Sequence, residues 1–141
     1  MRRGVLVLVV LLAAGGGWWF LQPRALASEA AWAGSAADAF TRRQSGLQLR
    51  ITGTVLRILA DDNDQSPHQR FIIKANDGTT LLVAHNLELA PRLAGLAAGD
   101  QLVVAGEYQW NAQGGLIHWT HDDPHGAHPS GYIEWRGRRY Q

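Results

Sequence analysis

Residues 106–124, GEYQWNAQGGLIHWTHDDP, predict two β-strands folded back on each other, and this hairpin decides the fold. Aromatic and β-branched side chains flank a turn at residues 111–115, where glycines accept a positive φ. With an even number of loop residues, alternation divides the side chains between two faces. One face would hold Tyr108, Trp110, Ile117, Trp119 and His121, and the other Glu107, Gln109, Asn111, His118 and Thr120. We therefore expect one core face and one polar face that is available for function.

The first 27 residues predict a secretory signal peptide, and a retained membrane anchor is the alternative. Arg2 and Arg3 give a basic start, residues 4–21 form an apolar run, and Ala25-Leu26-Ala27 is a small-x-small cleavage pattern. The same apolar run would cross a bilayer if it were retained. Both alternatives place the following domain in the periplasm or another extracytoplasmic space, with membrane contact only through this segment.

Charge and cysteine content exclude several classes of function. Without Arg2, Arg3 and Arg24, ten basic residues face twelve acidic ones, a formal net charge of −2 for residues 28–141. Proteins that bind nucleic acids through the phosphate backbone are usually basic, so non-specific nucleic-acid binding is disfavoured. The chain has no cysteine, which excludes disulfides, thiolate metal ligands and a cysteine nucleophile.

The segments before the hairpin predict a helical lead-in over residues 28–46 and then a bent first strand. Trp32, Ala36 and Phe40 recur at helical spacing. In residues 47–60 the apolar positions change from odd to even near Gly53, which predicts that the buried face changes there and that Leu56 and Ile58 turn inward. A strand bent or bulged at a glycine can serve two sheet layers.

Residues 68–75 and 79–85 predict a second hairpin through Asn76-Asp77-Gly78. In that register the buried face would consist of Phe71, Ile73, Leu81 and Val83, with Gln69 and His85 at its end. Residues 86–98 predict a short helix before Gly99, with Leu89, Leu93 and Leu96 as its apolar residues.

Together these elements predict an all-β fold with small α content. We expect a five-stranded Greek-key barrel like the oligonucleotide/oligosaccharide-binding (OB) fold, with a short helix between strands 3 and 4. The helical lead-in precedes the barrel, and residues 131–140 predict a C-terminal hairpin with Arg136, Arg138 and Arg139 as a charge cluster. Residues 47–141 would then be one domain.

Seven short segments carry a family resemblance: HQRF at 68–71, LVAHN at 82–86, LAPR at 89–92, GEY at 106–108, WN at 110–111, GG at 114–115 and HWTH at 118–121. They resemble a bacterial family of exported proteins, domain of unknown function 3465, over residues 44–141. The resemblance implies an extracytoplasmic location and a single folded unit, and it implies no activity. The family commonly has a second histidine after the position of His121, where this chain has Asp122.

The polar face of the opening hairpin predicts a binding site for a polar ligand or an envelope protein. Glutamate beside histidine also suits general acid/base chemistry, so Glu107 and His118 are the candidate catalytic residues. The candidate ligand-binding residues are His68, Arg70, His85, Asn86, Glu107, Asn111 and His118. Asn86 and His85 have a second interpretation, in which they satisfy backbone groups and a hydrogen bond inside the barrel mouth.

The chain has six histidines, and their number suggests an alternative function, a metal-dependent hydrolase of the phosphodiesterase type. On a strand His118 and His121 point to opposite faces, so the better metal set is His121, Asp122, His125 and His128 on the following loop. A divalent transition metal would be the cofactor, with Asp122 or Asp123 among the ligands and Glu107 as the base. A third class is a structural envelope protein that assembles through the arginine-bearing tail.

Overall fold

The computed structural model describes Trp32 and residues 34–141. The predicted signal peptide or anchor, and the start of the predicted helical lead-in, lie outside these residues. Within the described part of the chain, no helix is long and apolar enough to cross a membrane. The lead-in contains the short helix α1, Ala36–Thr41, which begins at the N-cap Ser35, whose Oγ accepts the Asp38 N–H at 3.1 Å.

Seven strands follow α1 in the described residues. They are β1 (Leu47–Ile58), β2 (His68–Ala75), β3 (Thr80–Asn86), β4 (Gln101–Gln109), β5 (Leu116–His118), β6 (Tyr132–Trp135) and β7 (Arg138–Tyr140). The first five form the sheet order β1-β2-β3-β5-β4, and an additional β1–β4 pairing closes the cylinder. All pairings within it are antiparallel except β3–β5, which is parallel. The predicted five-stranded OB-like barrel is therefore confirmed.

Strand β1 closes the barrel because it serves both neighbours, as the sequence predicts. Residues 47–54 pair with β4, and residues 53–58 pair with β2. The pairing with β2 changes register after Val55. A Cβ at Gly53 would lie 2.8 Å from the Lys74 carbonyl oxygen, so the crossing needs glycine. The predicted burial of Leu56 and Ile58 is wrong: they are 46% and 39% exposed, because the bulge turns this end outward.

The second hairpin has the predicted register. Phe71 pairs with Val83 and Ile73 pairs with Leu81, and all four side chains are buried. Gln69 lies opposite His85 at the end of the same face, and both are buried as well. Polar side chains at this end of the core therefore need partners inside the barrel.

The predicted helix between strands 3 and 4 is not formed, and residues 87–100 are a series of turns. The Gln69 amide binds the backbone of Leu93 twice, donating to its oxygen at 3.1 Å and accepting its N–H at 2.9 Å. These bonds replace helical ones, and Gly95 at φ 81° breaks a helical path. Leu93 and Leu96 are nevertheless buried, so the segment closes this end of the barrel with turns.

Strand β4 is the centre of the remaining sheet. One edge pairs with β1, and the other is shared between β5, opposite Glu107–Gln109, and β6, opposite Leu102–Ala105. Strands β5 and β6 thus act as two halves of one barrel strand, separated by the loop of residues 119–131. The C-terminal hairpin β6–β7 is confirmed, with a turn at Arg136 (φ 51°) and Gly137 (φ 73°).

Candidate functional site

The polar face of the opening hairpin exists as predicted as far as His118. Tyr108 pairs with Ile117 and both are fully buried, while Glu107 pairs with His118 on the outer side of the barrel. Tyr108 donates its hydroxyl to the Gly114 carbonyl at 3.0 Å, which ties the turn to the core. The β4–β5 register therefore presents Glu107 and His118 side by side to the outside.

Beyond His118 the predicted alternation fails, because β5 ends there. Trp119 has a φ of 51°, a left-handed conformation that is strained for a bulky side chain. Thr120, expected on the outer polar face, is instead fully buried, and its Oγ1 lies 2.7 Å from Nδ1 of His85. The kink at Trp119 turns the chain inward and sends Thr120 into the barrel mouth.

Glu107 is the centre of a polar cluster across β1, β4 and β5. Its Oε1 accepts from the Gln109 amide and lies 3.4 Å from His118 Nε2, and its Oε2 accepts from Gln48 Nε2 at 3.3 Å. Burial lowers the pKa of His118, and Glu107 partly offsets this effect by favouring the charged imidazole. The Gln48 Oε1 atom is buried and has no hydrogen-bond partner among the described residues.

Trp119 joins this cluster to the loop of residues 119–131 through stacked rings. The imidazoles of His118 and His128 lie 4.9 and 4.3 Å from the indole, tilted by 15° and 11° from its plane. His121 contacts His128 edge to face, with ring centroids 5.1 Å apart. We call the rings of His118, Trp119, His121 and His128 the histidine–tryptophan cluster.

Asp123 holds the loop in shape beneath this cluster. Its carboxylate accepts the backbone N–H groups of His125 at 2.9 Å and His128 at 2.7 Å, and these bonds lower the pKa of Asp123. The Gly131 N–H donates to the His121 carbonyl at 2.8 Å and closes the loop at its base. A side chain at Gly131 would collide with the Trp119 and Ala105 carbonyl oxygens. The loop is therefore a compact Ω-type excursion from the barrel.

Neighbouring oxygens fix which ring nitrogen of His68, His118, His121 and His128 can accept a hydrogen bond. Nδ1 of His68, His121 and His128 lies 2.7–2.8 Å from a backbone carbonyl, which can only accept, so Nδ1 carries the proton in the neutral ring. His118 donates from Nε2 to Glu107 in the same way. Each ring keeps its other nitrogen as a lone-pair acceptor.

On β2, His68 and Arg70 both lie on the outer side of the barrel, as expected from the alternation with the buried Gln69 and Phe71. Each is anchored to the loop after β1, His68 by its bond to the Ser66 carbonyl and Arg70 by donating to the Ala60 carbonyl at 3.1 Å. The charge of protonated His68 contributes to the lowered pKa of His118. His68 and Arg70 extend the polar outer side of the barrel onto β2.

The other candidate ligand-binding residues are used within the fold. His85 is fully buried, with Nε2 at 3.1 Å from the Pro91 carbonyl, so that nitrogen donates and Nδ1 accepts from Thr120. Burial lowers the pKa of His85 to about 4. Asn86 accepts the Glu88 N–H at 2.8 Å, and Asn111 accepts two N–H groups of its own turn. The alternative interpretation of His85 and Asn86, in which they satisfy internal groups, matches these contacts.

The proposed metal set is not brought together in the described residues. No three histidine, aspartate or glutamate side chains of Trp32 and residues 34–141 are grouped so that they could hold a metal ion. Asp122 and His125 are exposed, and only His121 and His128 are in ring contact. The metal site stays a prediction, and nothing in the geometry supports the hydrolase alternative.

The family model described as protein of unknown function (DUF3465) matches residues 22–141, which is most of the chain. The chain belongs to this family. No curated protein and no solved structure matches it. In this DUF3465 domain the family match covers the complete barrel, the loop of residues 119–131 and the C-terminal hairpin.

Two features of the DUF3465 domain were missed from sequence. The stacking of Trp119 depends on its left-handed backbone, for which the only sequence signal is the Asp122-Asp123-Pro124 turn that follows. The second is a pair of open depressions of about 460 and 480 Å³ on either side of Phe40, which stacks on Trp110. The sequence signal for them is the apolar stripe of the helical lead-in, which contains Phe40.

Proposed function

We propose that this domain is a non-catalytic binding module whose ligand lies on the outside of the barrel, against the histidine–tryptophan cluster and Glu107. The observation that carries this proposal is the left-handed Trp119, whose indole is stacked with His118 and His128 on the surface of the protein. Backbone strain at a bulky residue is retained where the surroundings impose it, and such residues concentrate at ligand sites.

The interior of the barrel leaves the outer surface as the place for a ligand. Tyr108, Phe71 and Ile117 are fully buried and fill the centre, while Gln69 and His85 seal the end next to residues 87–100. OB barrels generally bind ligands on the outside as well, on the face of strands 2 and 3 and the adjoining loops, and β2 carries His68 and Arg70 here.

The chemistry of the site favours a neutral ligand rich in hydroxyl groups, such as a glycan. Glu107 supplies carboxylate oxygens, and His118 and His128 supply ring nitrogens that accept hydrogen bonds. Aromatic rings pack against the C–H faces of sugars in the same way as against other apolar surfaces. The formal charge of −2 for residues 28–141 opposes a polyanion at this carboxylate.

Binding of the full chain to an array of envelope glycans, oligonucleotides and purified envelope proteins tests the proposal. We expect saturable binding to a glycan, weakened about tenfold or more by His118→Ala, since a lost hydrogen bond to a charged or buried site costs about 1.5–3 kcal/mol. Arg70→Ala should weaken binding if the ligand extends onto β2.

His125→Ala is the matched control, because His125 is an exposed histidine of the same loop that lies outside the ring contacts. It should bind like the wild type. An array on which the chain binds nothing, or on which His118→Ala and His125→Ala behave alike, would refute the proposal. Preferential binding of oligonucleotides would refute the assignment to neutral ligands.

A further inference from the structure

The C-terminal hairpin carries three arginines, and each guanidinium lies over an aromatic ring. The distances from guanidinium carbon to ring centroid are 4.4 Å for Arg136 over Trp135, 5.1 Å for Arg138 over Tyr140 and 3.8 Å for Arg139 over Tyr132. The three rings are themselves buried in the core. The arginines are therefore held in place before any partner arrives, which reduces the entropy lost on binding. We call this surface the arginine hairpin.

The tip of the arginine hairpin has an unusual backbone. Arg136 has a φ of 51° at a turn position where glycine, asparagine or aspartate is preferred. Its side chain is 65% exposed, and its guanidinium lies 3.7 Å from the Asp100 carboxylate. Glycine, asparagine or aspartate at position 136 would relieve this backbone strain, so an exposed arginine is kept there at an energetic cost.

Positive charge exceeds negative charge on this surface. Arg50 and Arg139 both contact Glu134, at 3.8 Å and 3.1 Å, and Arg136 contacts Asp100. No carboxylate of the described residues lies within 4 Å of Arg138. The three hairpin arginines and these two carboxylates leave a local excess of one positive charge on a domain that is otherwise acidic.

The hairpin also forms an open depression of about 400 Å³, lined by residues 134–139. The indole Nε1 of Trp135, one of these lining residues, is buried and has no hydrogen-bond acceptor among the described residues. An oxygen-rich group seated in the depression would meet the guanidinium edges, whereas the buried indole N–H lies out of its reach.

We propose that the arginine hairpin docks on the phosphate headgroups of an anionic lipid bilayer. Guanidinium groups bind phosphate oxygens through paired N–H donors, and the buried rings beneath the three arginines hold these groups in place for the headgroups. A plane of headgroups contacts only the hairpin, whereas a long polyanion would also meet the acidic remainder of the domain.

The position of the chain entering the domain agrees with this occupant. Trp32, close to the start of the described chain, packs edge to face on Tyr132 at 6.3 Å, the ring that carries Arg139. The apolar run ends at Leu21, eleven residues earlier, so an extended connection spans at most about 40 Å. The hairpin therefore lies within that reach of any membrane in which the apolar run is placed.

Partition of the full chain onto lipid vesicles tests the proposal. One set of vesicles is phosphatidylcholine alone, and the other is phosphatidylcholine with phosphatidylglycerol. The wild type is compared with a double variant that carries Arg136→Gln and Arg138→Gln. We expect the double variant to lose about 30-fold in partition onto anionic vesicles, about fivefold for each arginine, and to equal the wild type on neutral ones. Because the N-terminal segment is the same in both chains, its contribution cancels in the comparison.

Arg42→Gln with Arg43→Gln is the matched control. It removes the same charge, and Arg43 likewise has a φ of 52° and lies over a ring, 5.5 Å from that of Trp110. This control should partition like the wild type, and thermal unfolding checks that both double variants are folded. Arg138→Gln alone is the second hairpin variant, because Arg138 has no ion pair to lose within the part of the chain that the structure describes.

Three outcomes would overturn the proposal. The first is an equal loss of partition for the two double variants, and the second is equal partition of the wild type onto both kinds of vesicle. The third is release from anionic vesicles by inorganic phosphate but not by chloride at the same ionic strength. The last result would indicate a site for free phosphate in place of a bilayer surface.

Discussion

Protonation of His85 should make the stability of this domain depend on pH well above the range in which carboxylates titrate. The ring is fully buried between Thr120 and the Pro91 carbonyl, and burial lowers its pKa to about 4 from an ordinary value of 6.5. As the pH falls, the unfolded chain therefore takes up a proton at His85 before the folded chain does. The contribution of the neutral ring is fully present above about pH 6.5 and is lost progressively toward pH 4.

The size of the effect follows from the shift. Each pH unit between the two pKa values changes the free energy of unfolding by about 1.4 kcal/mol, so His85 alone removes about 2 kcal/mol between pH 6.5 and pH 5. The total loss by pH 4 is about 3 kcal/mol. The lowered pKa of His118 acts in the same direction and adds to it.

Urea unfolding of wild type and His85→Gln at a series of pH values between 7 and 5 measures this slope. Glutamine can donate to Pro91 and accept from Thr120 without titrating, so the variant should lose less stability over this range, by about 2 kcal/mol. His125→Gln is the control, because its ring is exposed, and its pH profile should match that of the wild type. Equal pH profiles for wild type and His85→Gln would refute the assignment of a buried neutral His85.

Two further substitutions test how the barrel is closed. Gln69→Leu leaves the Leu93 backbone N–H unpaired in the core and leaves the Leu93 oxygen only the 3.4 Å bond from the Leu96 N–H, so it should lower the free energy of unfolding by about 2–3 kcal/mol. The exposed Gln101→Leu should change it by less than about 0.5 kcal/mol, and equal effects of the two substitutions in urea unfolding would contradict this role of Gln69. Gly115→Ala places a Cβ against the Tyr108 ring at a φ of 104° and should lower the free energy of unfolding by about 3 kcal/mol or more. Gly126→Ala is the control: its φ is 69°, its new Cβ meets open space, and it should lower the free energy of unfolding by about 1 kcal/mol. Calorimetric melting of both variants measures this difference, and a reversed order would show that the 111–115 turn does not pack on Tyr108.

Local patterns in the sequence were sufficient for most of the barrel. Alternation in 68–75 and 79–85 predicts the pairs Phe71–Val83 and Ile73–Leu81 because one face of each strand is buried and a slip of one residue would expose it. Gly53 predicts the bend of β1, since the close approach of Lys74 requires the absence of a side chain. Closure between β1 and β4 follows from the number and order of strands.

The helix expected at 86–98 failed for a reason that spacing alone does not contain. Apolar spacing at Leu89, Leu93 and Leu96 suits a helix, but the Gln69 amide, 24 residues earlier than Leu93, binds the backbone in a non-helical form. Two leucines then reach the core from turns as effectively as from a helix. Tertiary contacts override periodicity in such a short segment.

The candidate site was predicted up to His118 and not beyond it. Glu107 and His118 share a face because strand alternation holds through β5, but the left-handed Trp119 ends the alternation, so that Thr120 and His121 are both buried. Thr120 consequently enters the core, and the His128 ring reaches Trp119 from across the loop. Strain at one residue cannot be inferred from strand propensity, which favours tryptophan in an ordinary extended conformation.

The most direct measurement is backbone and indole chemical-shift mapping of the ¹⁵N-labelled full chain, titrated with the glycan that binds most tightly on the array. We expect the largest perturbations on residues 117–121, on His128 and on the Trp119 indole N–H, and we expect them to vanish in His118→Ala. Perturbations centred on the depressions beside Phe40 and Trp110, or spread evenly over the barrel, would contradict the claim that the outer surface around His118 is the binding site.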